Sequence, residues 1–358
     1  MIQLSTPDIS RGERKAVDKV LRSGHLAQGN EVLNFEKEFS EVVGGRNCVA
    51  VNSGTSGLHI SMLAAGIGRG DEVIVPSFSF AATANSVSLT GASPIFVDID
   101  IRTFNIDVSA IESAITPRTK GIQVVHLYGL PADMNAIISI AKKHNLLIFE
   151  DAAQAHLARI EGKTVGQFGD FATFSFYATK NMTTGEGGMI VCESTENMRL
   201  CKLLRNQGME RRYQNEIVGL NNRMTDIQAA IGRIQLTKLE KLTRKRQENA
   251  AFYNQNLEGV ITPFTPQGYE HVYHQYTVRI EDISRDKFAD ELKKHGIDSS
   301  VYYPTPIHKL PSFKRNLDLR NTETACSQVL SIPVHPKLKK SELEKIVLAV
   351  NSISRFGV

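Results

Sequence analysis

The first two-thirds of the chain alternates short, unbroken apolar runs with segments of helix length. The runs are NCVAV (residues 47–51), EVIVP (72–76), PIFVDID (94–100), GIQVVHLYG (121–129) and LLIFEDAA (146–153), with helical patterns at 58–65, 82–91 and 136–144. A strand with one wet face alternates apolar and polar residues, whereas runs without that alternation are strands buried on both faces. Joined by helices, such strands make a mostly parallel sheet covered on both sides, so the pattern predicts an α/β fold.

The texture changes at Thr225. Thr225-x-x-Gln228 fits a capping box, and Ile227, Ile231, Ile234, Leu239 and Leu242 keep helical spacing through a charged stretch, predicting a helix to about residue 257. A helix that long bridges two domains. Beyond it, YHQYTVRI (273–280) reads as a strand and residues 286–295 as a helix, which suggests a small α+β domain. A chain of 358 residues exceeds the usual size of a single core, in keeping with this division. Residues 1–235 are expected to form the large domain and 236–358 the small one, with about the first 20 residues packing on the latter.

Forty-two basic and 38 acidic residues lie interspersed, giving a net charge of +4. That balance argues against nucleic acid and allows at most a preference for small anions. Cys48, Cys192, Cys201 and Cys326 show no C-x-x-C spacing and read as reduced residues of a cytoplasmic protein. The opening MIQLSTPDISRGERK has no apolar signal core, and no run approaches the roughly 20 apolar residues of a membrane span. The sequon Asn181-Met182-Thr183 is therefore expected to be chance.

Several short stretches carry chemistry. Ser53-Gly54-Thr55-Ser56-Gly57 lies between a strand and a helix, where small residues, hydroxyls and a helix N-terminus suit a phosphate or form a plain turn. Gly66-Ile67-Gly68-Arg69-Gly70 follows a helix and reads as its C-cap. Asp151 ends the run LLIFED, where it either faces a ligand pocket beyond the sheet or caps a helix DAAQAH, with Gln154 on the same side. Phe78 and Phe80 occupy a loop at the same sheet end, and FATFSFYATK carries Ser175 and then a lone Lys180 into the bend GEGG. His271 and His274 stand three apart without a third ligand at zinc-like spacing, so no metal is expected. A phosphate loop, a carboxylate, an aromatic plate and a lysine together are what pyridoxal 5'-phosphate requires. The lysine forms a Schiff base, and the carboxylate keeps the pyridine nitrogen protonated.

NSGTSGLH (52–59), PSFSFAATAN (76–85), VHLYGLPADM (125–134), FEDAAQAH (149–156), FSFYATKNMTTGEGGM (174–189), GLNNRMTDIQAAIGRIQL (219–236) and YYPTPIH (302–308) resemble, in order, the signature blocks of the DegT/DnrJ/EryC1/StrS family. These are pyridoxal-phosphate aminotransferases acting on nucleotide-linked keto-sugars. The resemblance implies an aspartate-aminotransferase-like fold (fold type I), with a three-layer α/β/α large domain. It implies that Lys180 holds the cofactor as a Schiff base and moves protons, Asp151 pairs with the pyridine nitrogen, Gln154 lies near the ring hydroxyl and Phe80 stacks on the ring. Gly54, Thr55, Ser56 and Ser175 would bind the phosphate, completed by Asn221 and Arg223 of a second subunit in a homodimer with active sites at the interface. Tyr303 and His308 are candidates for the substrate pocket.

The implied reaction is ping-pong: an amino donor, L-glutamate by resemblance, leaves its nitrogen as the pyridoxamine form, which then aminates the keto-sugar. Lys180 argues against relatives that carry histidine there and act as dehydratases. Gln207 and Leu130 depart from the histidine and glutamine common in the family, which bears on substrate identity and leaves the chemistry untouched. An aminotransferase for a small cyclitol or other ketone, and a non-catalytic regulatory relative, are the alternative readings.

Overall fold

The computed structural model describes residues 1–356. Seven strands form the central sheet: Asn47–Val51 (β1), Glu72–Pro76 (β2), Ser93–Val97 (β3), Thr119–Val125 (β4), Leu147–Asp151 (β5), Phe171–Ser175 (β6) and Gly188–Cys192 (β7). Their spatial order is β1-β7-β6-β5-β4-β2-β3. Six run parallel, and β7 alone is antiparallel to both its neighbours, β1 and β6. The C-terminal ends of β1, β2, β5 and β6 therefore share one edge with the N-terminal end of β7.

Side chains on successive strand positions point to opposite faces, and both faces are dry. Val49, Val51, Phe171, Ile190 and Cys192 belong to one apolar cluster, into which helices Gly54–Ala64 and Thr195–Arg205 pack. The intervening Cys48, Ala50, Ala172, Phe174, Met189 and Val191 belong to another, beneath helix Asn30–Val42 with Phe35 and Phe39. This two-sided burial is the reason the strands read as continuous apolar runs, and it gives the three-layer α/β/α architecture expected of the large domain.

Strand β1 is anchored from below. Arg205, 3% exposed, donates through Nη1 to Glu36 Oε1 and, at 2.6 Å, to the Ala50 carbonyl, while Glu36 Oε1 accepts the Ala50 N–H at 2.8 Å. The pair clamps the strand three residues before the Ser53 turn.

The long helix runs from Asp226 to Asn256, with the expected capping box at Thr225 and Gln228. Its first half, with Ala229 and Leu239, packs in the cluster beneath the sheet. Its second half, with Ala250 and Tyr253, packs in a separate cluster with Tyr276, Phe288, Leu330 and Ile346. In that second body Tyr276–Arg279 pairs antiparallel with Val329–Ile332. Ile2 joins it, its N–H donating to the Gly296 carbonyl at 2.7 Å. Ile307, Leu310, Phe313 and Leu319, although late in the chain, pack against the sheet's own core. Among the described residues, no helix is long and apolar enough to cross a membrane.

Removing one partner of a buried ion pair strands the other charge, which costs about 3–5 kcal/mol. Glu36→Ala should therefore lower the unfolding free energy by about that amount in denaturant titration. A loss under about 1 kcal/mol would show that the Arg205 clamp does not hold β1.

Candidate active site

The shared strand edge converges on a few residues. At the end of β1, Ser53 caps helix Gly54–Ala64, its Oγ accepting the Ser56 N–H at 3.1 Å and lying 3.0 Å from Ser56 Oγ. Capping hydroxyls, free N–H groups and the positive end of the helix dipole make an anion cradle. Two glycines let it form. A Cβ on Gly54 would lie 2.9 Å from Ser175 Cβ, and one on Gly188 would lie 2.6 Å from the Ser53 carbonyl oxygen. The turn, the end of β6 and the start of β7 thus touch backbone to backbone. Thr55 is exposed and Ser56 half-buried, so their hydroxyls stay available.

Asp151, at the end of β5, is 6% exposed. Its Oδ2 accepts from Thr83 Oγ1 at 3.1 Å and its Oδ1 from the Ala153 N–H at 3.2 Å. Burial pushes its pKa up, against these hydrogen bonds and the nearby Lys180 charge. Its neighbour Glu150 points to the other face, where Oε2 lies 3.0 Å from His126 Nε2 and the two oxygens accept the Gly166, Phe168 and Gly169 N–H groups. His126 Nδ1 accepts the Ala132 N–H at 3.0 Å, so the ring's proton sits on Nε2 and points at Glu150. Burial raises the Glu150 pKa, but this ring of donors outweighs it and the net shift is downward. Of two adjacent carboxylates, one is fully partnered within the fold and one looks into the site.

The helix allowed for DAAQAH does not form. The Ala152 N–H bonds the Thr173 carbonyl at 2.9 Å, extending the sheet, and Leu157 takes a left-handed φ of 68°. Between them run successive tight turns rather than a helix, and these carry Gln154 to the site. Gln154 Oε1 accepts the Tyr128 N–H at 2.7 Å, and Nε2 donates to Tyr303 Oη at 3.1 Å. The Tyr303 ring lies 6.0 Å from that of Phe80, which is 58% exposed and forms a free plate at the mouth.

Lys180 follows β6 in a loop that closes on itself. The Phe176 N–H bonds the Gly187 carbonyl at 2.9 Å, the Thr184 N–H bonds the Phe176 carbonyl at 2.9 Å, and the Lys180 N–H bonds the Tyr177 carbonyl at 2.9 Å. Gly185, at φ 82°, supplies the reversal that GEGG suggested. Lys180 keeps partial access to solvent, yet the protein crowds the amine closely. Burial pushes its pKa down to about 8, with the Asp151 charge opposing.

Other sequence candidates lie at varying distance from this cluster. Arg223 bridges backbone to backbone with Val51, and its Nη1 donates to Asn206 Oδ1 at 2.8 Å, while Asn221 is exposed beside it. His308 is not brought to the opening. It is fully enclosed, with Nδ1 2.7 Å from Ser77 Oγ, and it props the end of β2 from behind. Leu130 is core, and Gln207 is exposed with a left-handed φ of 60°. His271 Nδ1 accepts the Tyr273 N–H at 2.9 Å, and His274 Nδ1 lies 3.3 Å from Asn181 Oδ1, so both serve local structure. Thr83 and Tyr128 bond site residues, Asp151 and Gln154, although nothing in their own chemistry points to the site. Their signal is position alone, inside the blocks around Phe80 and Leu130.

Comparison with known proteins decides the lineage. The profile of the DegT/DnrJ/EryC1/StrS aminotransferase family matches residues 7–351. The chain belongs to this family. It is 40% identical, over 95% of its length and 93% of the other, to a "Pleiotropic regulatory protein" of Geobacillus stearothermophilus. It is 39% identical, over 93% and 91%, to the UDP-N-acetyl-3-dehydro-alpha-D-glucosamine 3-aminotransferase of Acidithiobacillus ferrooxidans. The solved structure of S. venezuelae DesV in complex with a ketimine intermediate superposes with a TM-score of 0.93 at 38% identity, covering 96% of this chain and 94% of that one.

An amine with a pKa near 8 is far more nucleophilic at neutral pH than a surface lysine near 10.5. Acylation of Lys180 by a small anhydride, followed by peptide mass spectrometry, should rise with pH about a midpoint near 8. A midpoint above 10, like that of the surface lysines, would contradict the burial argument.

Proposed function

We propose that the protein is a pyridoxal-phosphate-dependent aminotransferase that moves an amino group, with L-glutamate as donor, to a keto carbon of a nucleotide-linked sugar. The observation that carries the reading is the single strand edge on which an anion cradle, a buried carboxylate and a low-pKa lysine meet. The cradle at Ser53–Ser56, held against Ser175 by the Gly54 and Gly188 contacts, fits the phosphate ester. Asp151, with Thr83 and the Ala153 N–H holding its orientation, fits the cationic ring nitrogen, and the Phe80 plate fits the ring face.

Bound there, pyridoxal phosphate supplies an electron sink for the negative charge left when an amine's α-carbon loses a proton. The chain does the rest. Lys180 would hold the cofactor through its Nζ and would release it when an amino donor arrives. Its Nζ, unprotonated to a useful degree near pH 8, would then be the base that takes the proton from the donor's α-carbon and the acid that gives it back. With the sugar the same Nζ would move the proton in reverse. Gln154 and Tyr303, joined by a hydrogen bond, hold the ring-hydroxyl side, and Tyr303 borders the opening where the sugar enters.

The nucleotide-sugar assignment rests on the relative named as a UDP-sugar aminotransferase, together with the shared blocks. We further propose a cytoplasmic homodimer. Tyr213 and Val218 project 79% and 94% exposed from the segment before Asn221 and Arg223, leaving apolar surface for a second subunit to cover. The relative named as a regulatory protein keeps a regulatory reading in view, but the full set of Lys180, Asp151 and cradle favours catalysis.

Purified protein supplied with pyridoxal phosphate, L-glutamate and a panel of nucleotide-linked keto-sugars should form an aminated sugar and 2-oxoglutarate. Lys180→Ala should abolish this, and Arg223→Ala should weaken it severely. Co-expression of the two variants should restore part of the activity, because a mixed dimer has one site with both residues intact. Turnover of a small ketone but of no nucleotide-sugar would overturn the substrate class. Mixed variants with no regained activity would overturn the shared site.

A further inference from the structure

We propose that a small monovalent anion of the chloride class binds in the seam between the two bodies, held by Arg246. The long helix carries Thr243, Arg246 and Asn249 on one buried face, between the part that packs beneath the sheet and the part that packs in the second body. All three are buried, at 6%, 6% and 1% exposure.

Arg246 is a cation in the interior. Its Nη1 reaches only two backbone carbonyls, those of Tyr273 and His274, at 3.3 and 3.4 Å, and its Nε has no partner. No carboxylate pairs with it among the described residues. A guanidinium does not shed its proton to escape burial, as a lysine does. Burial alone pushes its pKa down to about 10, with no acidic neighbour to oppose the shift.

The surroundings deepen the imbalance. Burial first pushes the pKa values of His156, His274 and His335 down, and positive charge adds to it, Lys180 ahead of Arg246 for His156 and His274 and Arg246 for His335. Buried polar atoms without partners lie along the same helix face and on the segment Asn249 holds: Thr243 Oγ1, Asn249 Oδ1 and His335 Nδ1. Buried polar groups without partners are few in native proteins, and each calls for an explanation.

The character of the set selects the ligand. Arg246 Nε–H and the Thr243 hydroxyl are donors beside an uncompensated positive charge, which suits a spherical anion, whereas His335 Nδ1 is an acceptor because its Nε2 donates to the Gln3 carbonyl at 3.1 Å. Asn249 Oδ1 is an acceptor, because Asn249 Nδ2 already donates to the Val334 and His335 carbonyls, and a water accompanying the anion completes it. The seam also adjoins the lysine loop, since Asn181, next to Lys180, touches His274 Nδ1 at 3.3 Å and the Val272 carbonyl at 3.2 Å. An anion there ties the long helix, the lysine loop and the second body together.

The test is crystallographic and thermal, on the purified protein. Crystals soaked in bromide should show an anomalous peak within hydrogen-bond distance of Arg246 Nε. In solution, chloride should raise Tm by about 2 °C or more over gluconate at equal ionic strength. Arg246→Gln should erase that difference. If that variant does not fold, Thr243→Val, which keeps the charge and removes one donor, should shrink the chloride response. Water alone at the seam in the bromide data, or equal Tm values in chloride and gluconate, overturns the proposal.

Discussion

A carboxylate buried at the end of β5 is the constraint around which the site is arranged. An ionised group in the interior must be matched by donors or cations, or it takes up a proton. Asp151 has two donors, Thr83 and the Ala153 N–H, and one cation nearby, Lys180. Those supports do not fully offset burial, and its pKa moves up. Glu150, one residue before, receives an imidazole and three backbone N–H groups, and its pKa moves down. The contrast separates a structural charge from one with room for a cationic ligand. A protonated ring nitrogen is such a ligand, which is why Asp151 is the residue on which the proposed function leans.

Lys180 answers the same constraint from the opposite side. Burial drives its proton off while Asp151 holds it on, and the balance leaves the amine near the pH at which it can act both as nucleophile and as base. Topology produces the juxtaposition. Because β7 runs antiparallel between β1 and β6, its start lies at the same edge as their ends, and the loop before it brings Lys180 near enough for the Asp151 charge to act on its amine. Gly188 lets β7 begin against the Ser53 turn, so the loop and the anion cradle form one piece of structure.

Much of this was legible in the residues. The unbroken runs from Val49 to Phe149 marked doubly buried strands, and the Thr225 capping box located the long helix to within a residue at both ends. The blocks that brought Lys180, Asp151 and the Ser53 turn together named the fold and the family. What escaped was set by tertiary contacts. The DAAQAH helix lost to a sheet hydrogen bond from Ala152 to Thr173, which no local pattern announces. His308 sits in a loop whose prolines gave no hint that it would turn inward onto Ser77. Thr83 supports Asp151 from 68 residues away, and Arg246 reads as one more charge in TRKRQ although it is buried.

The central claim is that Lys180 is an amine meant to be covalently occupied. Borohydride reduction of the protein with pyridoxal phosphate, followed by proteolysis and mass spectrometry, tests it directly. The account predicts one stoichiometric phosphopyridoxyl adduct per chain, on Lys180, suppressed by reaction with an amino donor before reduction. An adduct on another lysine, or none at all, would contradict it.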